Sequence, residues 1–150
     1  MIPSGTRVYL ASRSPRRREL LHQIGIDFDT VVFRDGLRAD SETDETPLPG
    51  ETPIAYVERV ARAKAMHGLK IVVERRLPMR PVLSADTTLE LDGDIIGKPV
   101  DIADAAAILR RLSGRTHRVL TGVAVDHQGR TEYLLSTSEV RFRHIDDEEI

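Results

Sequence analysis

The most constraining stretch runs from Val8 to Leu21 and reads Val-Tyr-Leu-Ala-Ser-Arg-Ser-Pro-Arg-Arg-Arg-Glu-Leu-Leu. A short apolar run ends at Ser12 and Ser14, and a basic amphipathic segment begins at Pro15. Ser14 suits a helix N-cap, because its hydroxyl can accept from an orphan first-turn amide. Pro15 suits the first helical position, where no backbone N–H is missed. Gly25 stands where a helix usually ends on a residue of positive φ. The chain should therefore pass from strand through a tight turn into a helix. Arg13, Arg16, Arg17 and Arg18 surround the free amides of that turn.

Helix amides and guanidinium forks converging on one spot make an anion site. The helix dipole alone contributes only about 0.3–1 kcal/mol, so the arginines must supply most of the affinity. At about 100° per residue, Arg17, Leu20, Leu21 and Ile24 share a face. The expectation is a core stripe of Leu20, Leu21 and Ile24 with Arg17 at its N-terminal end. Arg16 should flank the stripe and Arg18 should point to solvent.

Composition narrows the options. The chain has 150 residues, 40% hydrophobic and 31% charged, with a formal net charge of −2. That suits an ordinary globular domain and argues against general nucleic-acid or membrane-surface binding. With no cysteine, disulfides and thiolate metal sites are excluded. No apolar run approaches the roughly 18 residues a membrane span needs, and no signal-peptide core is visible. A cytoplasmic protein is expected.

Further along, residues 26–33 read as a second strand, and residues 34–52 lose all periodicity. This long acidic loop carries Asp40, Glu42, Asp44, Glu45 and Glu51, and loops of such length are usually functional or disordered. Thr52 and Pro53 open a helix with Ile54, Val57, Val60, Ala61 and Ala65 inward and Glu58, Arg59 and Arg62 towards water. Lys64 lies inside that apolar stripe, so it either snorkels along the core edge or reaches into a cleft. Near Gly68 the helix should end or bend. A short buried strand, 81–85, should deliver Asp86, Thr87 and Thr88 at its C-terminal end, where α/β sheets place their chemistry. Asp92-Gly93 marks a hairpin. A helix from Asp101 or Asp104 to Gly114 should carry Ala107, Ile108, Leu109 and Leu112 inward. Strands are expected at 119–125 and 133–142, and a first helical turn at 145–150.

Carboxylates beside a phosphate-binding turn repel its ligand unless a hard cation lies between them. Mg²⁺ is held by one or two carboxylates together with substrate phosphates, and it polarises phosphoryl oxygens. Metal-assisted phosphate chemistry would thus unite Arg17, Lys64, Lys98, Asp86 and Glu45. Blander readings remain: Asp86 capping a turn, Lys98 as a surface turn residue, Glu45 simply solvated. The five histidines show no metal-ligand spacing, and neither a Walker lysine motif nor Gly-x-Gly-x-x-Gly is present.

Several segments together resemble the Maf family. They are Leu10 to Arg17, Asp44-Glu45, Val60 to Ala65, Ser84-Ala85-Asp86-Thr87, Ile96 to Pro99 and Leu112 to His117. They occur in the family's order across essentially the whole chain. The resemblance implies an α/β fold with a mixed, elongated sheet flanked by helices, two lobes around a central cleft, as in the inosine triphosphate pyrophosphatases. It implies a single domain over residues 1–150 that hydrolyses the α–β anhydride of a nucleoside triphosphate. By the same resemblance Asp86 accepts the proton of the attacking water, and Glu45 serves metal and catalysis. Lys64 and Lys98 bind phosphates, and Ser12, Arg16 and Arg17 form the triphosphate and base-proximal loop. Arg16 after Ser-Pro, and Thr87 after the acid, resemble the branch acting on dTTP and UTP. A divalent cation, Mg²⁺ or Mn²⁺, and a homodimer are implied too. The family pattern continues past the equivalent of Ile150 with an Asp-Lys-Ala-Gly-like and an Ile-Gln-Gly-like segment, so the C-terminal part of the family's fold is expected to be absent here. The competing expectation is a nucleotide- or nucleic-acid-binding regulator of division or septum formation without turnover.

Overall fold

The first strand, β1 (Arg7–Leu10), is the parallel neighbour of two others, β2 (Asp27–Thr30) and β3 (Val82–Leu91). This computed structural model describes residues 6–31 and 43–150. Between β1 and β2 runs α1 (Pro15–Gln23), capped by Ser14, and between β2 and β3 runs α2 (Pro53–Glu74), capped by Thr52. Two hairpins follow. β3 turns into β4 (Asp94–Ile96), and after α3 (Ile102–Leu112) comes the long pair β5 (Thr116–His127) and β6 (Arg130–Arg141). Both hairpins turn on residues in the left-handed region, Asp92-Gly93 and Gln128-Gly129, as a two-residue turn matched to strand twist requires. The order is β2-β1-β3-β5-β6, with β4 on β3, so the sheet is mixed.

The pairing of β3 creates the feature that matters for function. β5 covers one edge of β3 from Val82 to Glu90. On the other edge β1 pairs only at Val82 and Leu83, and β4 only from Leu89 to Leu91. Among the described residues, 84–88 therefore have no strand partner on that edge, which lies open between the end of β1 and the end of β4. Asp86 is not at a strand terminus, as expected from the sequence, but in the middle of a ten-residue strand. It nevertheless lies beyond the parallel pairing with β1, which ends at Leu83.

α2 covers one sheet face. Val57, Val60, Ala61, Ala65 and Val72 are fully buried, and Ile71 and Val72 join Tyr9, Ala11, Val31 and Val82 in one cluster. Ser84 fits beneath the helix by donating its hydroxyl to the Ala61 carbonyl at 2.6 Å. The helix does not end or bend at Gly68; it is continuous over 22 residues. Gly68 is required there because a Cβ would come within 2.8 Å of Ala11 Cβ and Val82 Cγ1. Close approach, not helix termination, explains this glycine.

Other expectations are corrected. On α1 only Leu21 is buried, while Leu20 is 50% and Ile24 67% exposed. The helix packs mainly on the four-residue β2, where His22 meets Phe28 with ring centroids 5.0 Å apart, and so narrow a seat accepts a narrow stripe. Ile54 is likewise exposed. On α3, Leu112 joins Leu91 and Ile96 in a cluster with Ile108 against it, but Ala107 is exposed. Only the C-terminal half of that helix meets the sheet. At the chain end there is a turn instead of a helical start, closed by Arg143 on the Glu149 carboxylate at 2.7 and 2.9 Å. Val32 and Phe33 of the expected second strand, and residues 34–42 of the loop, fall outside the described residues.

Gly68→Ala is expected to destabilise the fold by about 1–3 kcal/mol, read as a lower midpoint in urea unfolding. His117 gives a pH dependence. It is 3% exposed, lies edge-on to Phe142 at 5.0 Å, and its Nδ1 has no hydrogen-bond partner among the described residues. Burial holds its pKa below the usual histidine value, so the unfolded chain binds the proton more tightly. Its contribution is intact above about pH 6.5 and is lost as pH falls through that value. Between pH 7.5 and 5, Tm should drop more steeply for the wild type than for His117→Gln.

Candidate active site

The site is assembled where β1, α2, β3 and the acidic loop meet. Beyond Leu10 the chain turns sharply, and Ser12 Oγ accepts from Ser14 N at 3.1 Å and from Arg17 Nη1 at 3.3 Å. Ser14 Oγ accepts from Arg17 N at 3.4 Å, which is the expected cap. Arg17 is thereby folded back over the turn and is half-buried. Burial lowers its pKa, opposed by the attraction of Asp86 and Glu45. Since a guanidinium stays charged, a partly desolvated cation here favours an anion beside it.

Lys64 resolves the alternative left open by its sequence position. From inside the apolar stripe of α2 it reaches into the cleft, where Nζ lies 2.8 Å from Glu45 Oε1 and 3.2 Å from Asp86 Oδ1. Its side chain is 19% exposed and that of Asp86 only 11%, so this is a partly desolvated pair with little solvent screening. Thr88 donates to the other Asp86 oxygen at 3.3 Å. Glu45 is brought in by its loop, which α2 holds at several points. Tyr56 donates to the Glu45 carbonyl at 2.7 Å. Arg59 forks onto Glu51 at 2.7 and 2.9 Å and donates to the Thr46 carbonyl at 3.0 Å. Thr43 Oγ1 lies 2.7 Å from His67 Nδ1. Burial first, then the nearby Asp86 and Glu45 charges, push the Tyr56 phenol up and keep it a hydrogen-bond donor.

Arg59 was expected to face water; the returning loop gives its planar fork a carboxylate and carbonyls instead. Tyr56 and Thr43 were missed altogether. The spacing of Tyr56 and Arg59, on neighbouring positions of one helix turn, is the one signal that could have paired them with the loop. The acids they hold lie at non-periodic loop positions.

A cavity of about 520 Å³ opens between these parts, lined among others by Ser12, Arg13, Arg17, Glu45, Lys64 and Lys98. Ser12, Arg17, Glu45, Lys64 and Lys98 thus come together around one space, and Asp86, which does not line it, joins them through its ion pair with Lys64. Arg16 and Thr87 do not line it. Arg16 is exposed on α1. Thr87, one residue from Asp86, points to the opposite sheet face, 3.0 Å from Thr121, and lines with Lys98 a second, mostly apolar cavity of about 390 Å³.

The donor set suits a hard divalent cation in one specific way. Glu45 and Asp86 converge closely enough to share an ammonium, and two carboxylates are what Mg²⁺ takes when phosphates complete its shell. Among the described residues no group of three or more metal-ligating His, Cys, Asp or Glu side chains exists. A protein-only cage is therefore not built there, and the fit depends on an anionic ligand.

A cavity lined by Arg13, Arg17, Lys64 and Lys98, with the acids Glu45 and Asp86 paired to Lys64, thus sits beside the mixed sheet of an α/β fold. The chain belongs to the Maf-like protein family, whose sequence profile matches residues 7–150. It is 85% identical over 144 residues to the dTTP/UTP pyrophosphatase of Dechloromonas aromatica (strain RCB), covering 96% of this chain and 72% of that protein. It is 60% identical over 151 residues to the dTTP/UTP pyrophosphatase of Aromatoleum aromaticum, covering all of this chain and 73% of that one. The Ham1 protein of Staphylococcus aureus shares the fold, with a TM-score of 0.58 at 19% identity over 89% of this chain and 70% of that chain.

Arg59→Ala should release the loop that carries Glu45. Limited proteolysis within residues 43–52 is expected to accelerate several-fold, while the global unfolding free energy falls by no more than about 1–2 kcal/mol.

Proposed function

We propose that this chain is a nucleoside-triphosphate pyrophosphatase acting on dTTP and UTP, releasing the nucleoside monophosphate and pyrophosphate. The carrying observation is one cavity lined by Arg17, Lys64, Lys98 and Glu45, with Asp86 paired to its Lys64, in a chain 85% identical to a dTTP/UTP pyrophosphatase. Holding a triphosphate explains the cations; hydrolysing it explains the acids. The names of the relatives favour turnover over a purely regulatory binder.

In this reading Arg17 and Lys98 neutralise the triphosphate, and Ser12, whose oxygen already accepts two hydrogen bonds, turns its O–H towards a phosphate oxygen. Asp86, oriented by Thr88, takes the proton of a water that attacks the α-phosphorus in line with the leaving pyrophosphate. In the free enzyme Lys64 pairs with the buried Asp86 carboxylate, and Glu45 faces the same space from the loop. Mg²⁺ or Mn²⁺, held by Asp86 and Glu45 with the phosphates, would add charge neutralisation and polarise phosphoryl oxygens. Positioning and electrostatics supply most of the rate. Arg16 and Thr87, outside the cavity lining, belong in this proposal nearer the base than the phosphates. Among the described residues no helix is long and apolar enough to cross a membrane. The proposal takes the enzyme as cytoplasmic, homodimeric by family resemblance, and without a stable nucleic-acid partner on its near-neutral charge.

Pyrophosphate release from dTTP and UTP with added Mg²⁺ tests it. Asp86→Asn should lose at least about 10³-fold in kcat, the scale of removing a general base together with its charge, while nucleotide binding by calorimetry is kept. Full activity of that variant would remove Asp86 from the mechanism. Faster turnover of 7-methyl-GTP than of UTP would overturn the substrate assignment.

A further inference from the structure

Lys64 does two things that pull against each other. Its position in the α2 stripe gives it a dry stem, and its ammonium lies 2.8 Å from Glu45 and 3.2 Å from Asp86. That place, between the carboxylates, is where a divalent cation would have to sit to use both. Ammonium and cation cannot share it, since like charges a few ångströms apart in a partly desolvated cleft repel strongly. Arg17, half-buried and attracted to the same acids, adds to the positive field a bare cation would meet.

We propose that Lys64 is a resident counter-ion that reserves the Glu45–Asp86 pair for a cation arriving with a triphosphate. The idea rests on the nucleotide-hydrolysing reading above and deepens it. Without nucleotide, Lys64 satisfies both carboxylates and a free divalent ion gains little by displacing it. With nucleotide, the phosphates offer the ammonium new anionic partners in the same cavity, which Lys98 and Ser12 also line. The carboxylates are then released to the cation. Metal and nucleotide thus bind with strong positive coupling, which must be reciprocal. The catalytic arrangement completes itself only when substrate is present.

The test measures binding, not turnover. Mn²⁺ binding is read by electron paramagnetic resonance of the free ion, with and without a dUTP analogue whose α–β bridging oxygen is an imido group. Wild type should bind Mn²⁺ weakly alone and at least about ten-fold more tightly with the analogue. Lys64→Met should bind Mn²⁺ alone at least about ten-fold more tightly than wild type, because the competing charge is gone. Adding Asp86→Asn to Lys64→Met should abolish that gain. Should Lys64→Met fail to fold by circular dichroism, Lys64→Gln carries the same comparison. Equal affinity of wild type and the Lys64 variant for Mn²⁺ alone overturns the counter-ion role. If wild type still binds Mn²⁺ with the analogue, the hydrolase reading survives that result. If wild type binds no Mn²⁺ even with the analogue, the metal part of the hydrolase reading fails, and this inference with it.

Discussion

The open stretch on one edge of β3 is the constraint from which the rest follows. A sheet normally closes both edges of an inner strand, yet here, among the described residues, β1 pairs with β3 only as far as Leu83 and β4 only from Leu89 onward. Among the described residues no strand pairs with that edge in the interval between the two contacts. The polar side chains Ser84, Asp86 and Thr88, all buried, fall on the helix side of the same interval. The chain thus places its most polar inner segment where the lattice of strand hydrogen bonds is interrupted. The cleft is consequently part of the topology and not a surface accident.

Electrostatics then determines what the cleft can hold. A carboxylate as buried as Asp86 needs a partner, and losing one member of such a pair costs far more than the pair contributes. Lys64 and Thr88 supply that partnership, and the loop acid Glu45 joins from the more exposed side. The surrounding arginines belong to two populations. Arg17 is folded over the turn by Ser12 and faces the acids. Arg59 looks away from the cavity and anchors the loop through Glu51 and Thr46. One residue type therefore does two unrelated tasks, one towards ligand and one towards scaffold.

Much of this was legible in the sequence because it rests on local rules. The Ser-Pro start of α1, the Thr-Pro start of α2 and the Asp92-Gly93 hairpin each depend on a few adjacent residues with a defined conformational preference. The anomaly of Lys64 was legible too, since a lysine in an apolar stripe conflicts with its own helix and that conflict needs a cause. What could not be read depends on long-range packing. Gly68 resembles a helix stop until Ala11 and Val82 are brought against it. Leu20 and Ile24 look like core until the narrowness of β2 is known. β3 reads as two pieces because Asp86, Thr87 and Thr88 interrupt its apolar pattern, although pairing with β5 carries the strand straight through. Arg59 gives no hint of its role, because its partners sit in a loop without periodicity.

The unbroken course of α2 has a mechanical corollary. One turn separates Gly68 from Lys64, about 6 Å along the axis, and two more turns reach Tyr56. The spacing between helix and sheet is fixed at Gly68 by the lack of a methyl group, and the same rod carries the ammonium of Lys64 and the phenol that holds Glu45. A fraction of an ångström gained or lost at the packed end is delivered undiminished to the charged end. The depth of the cleft is in effect gauged by its smallest residue.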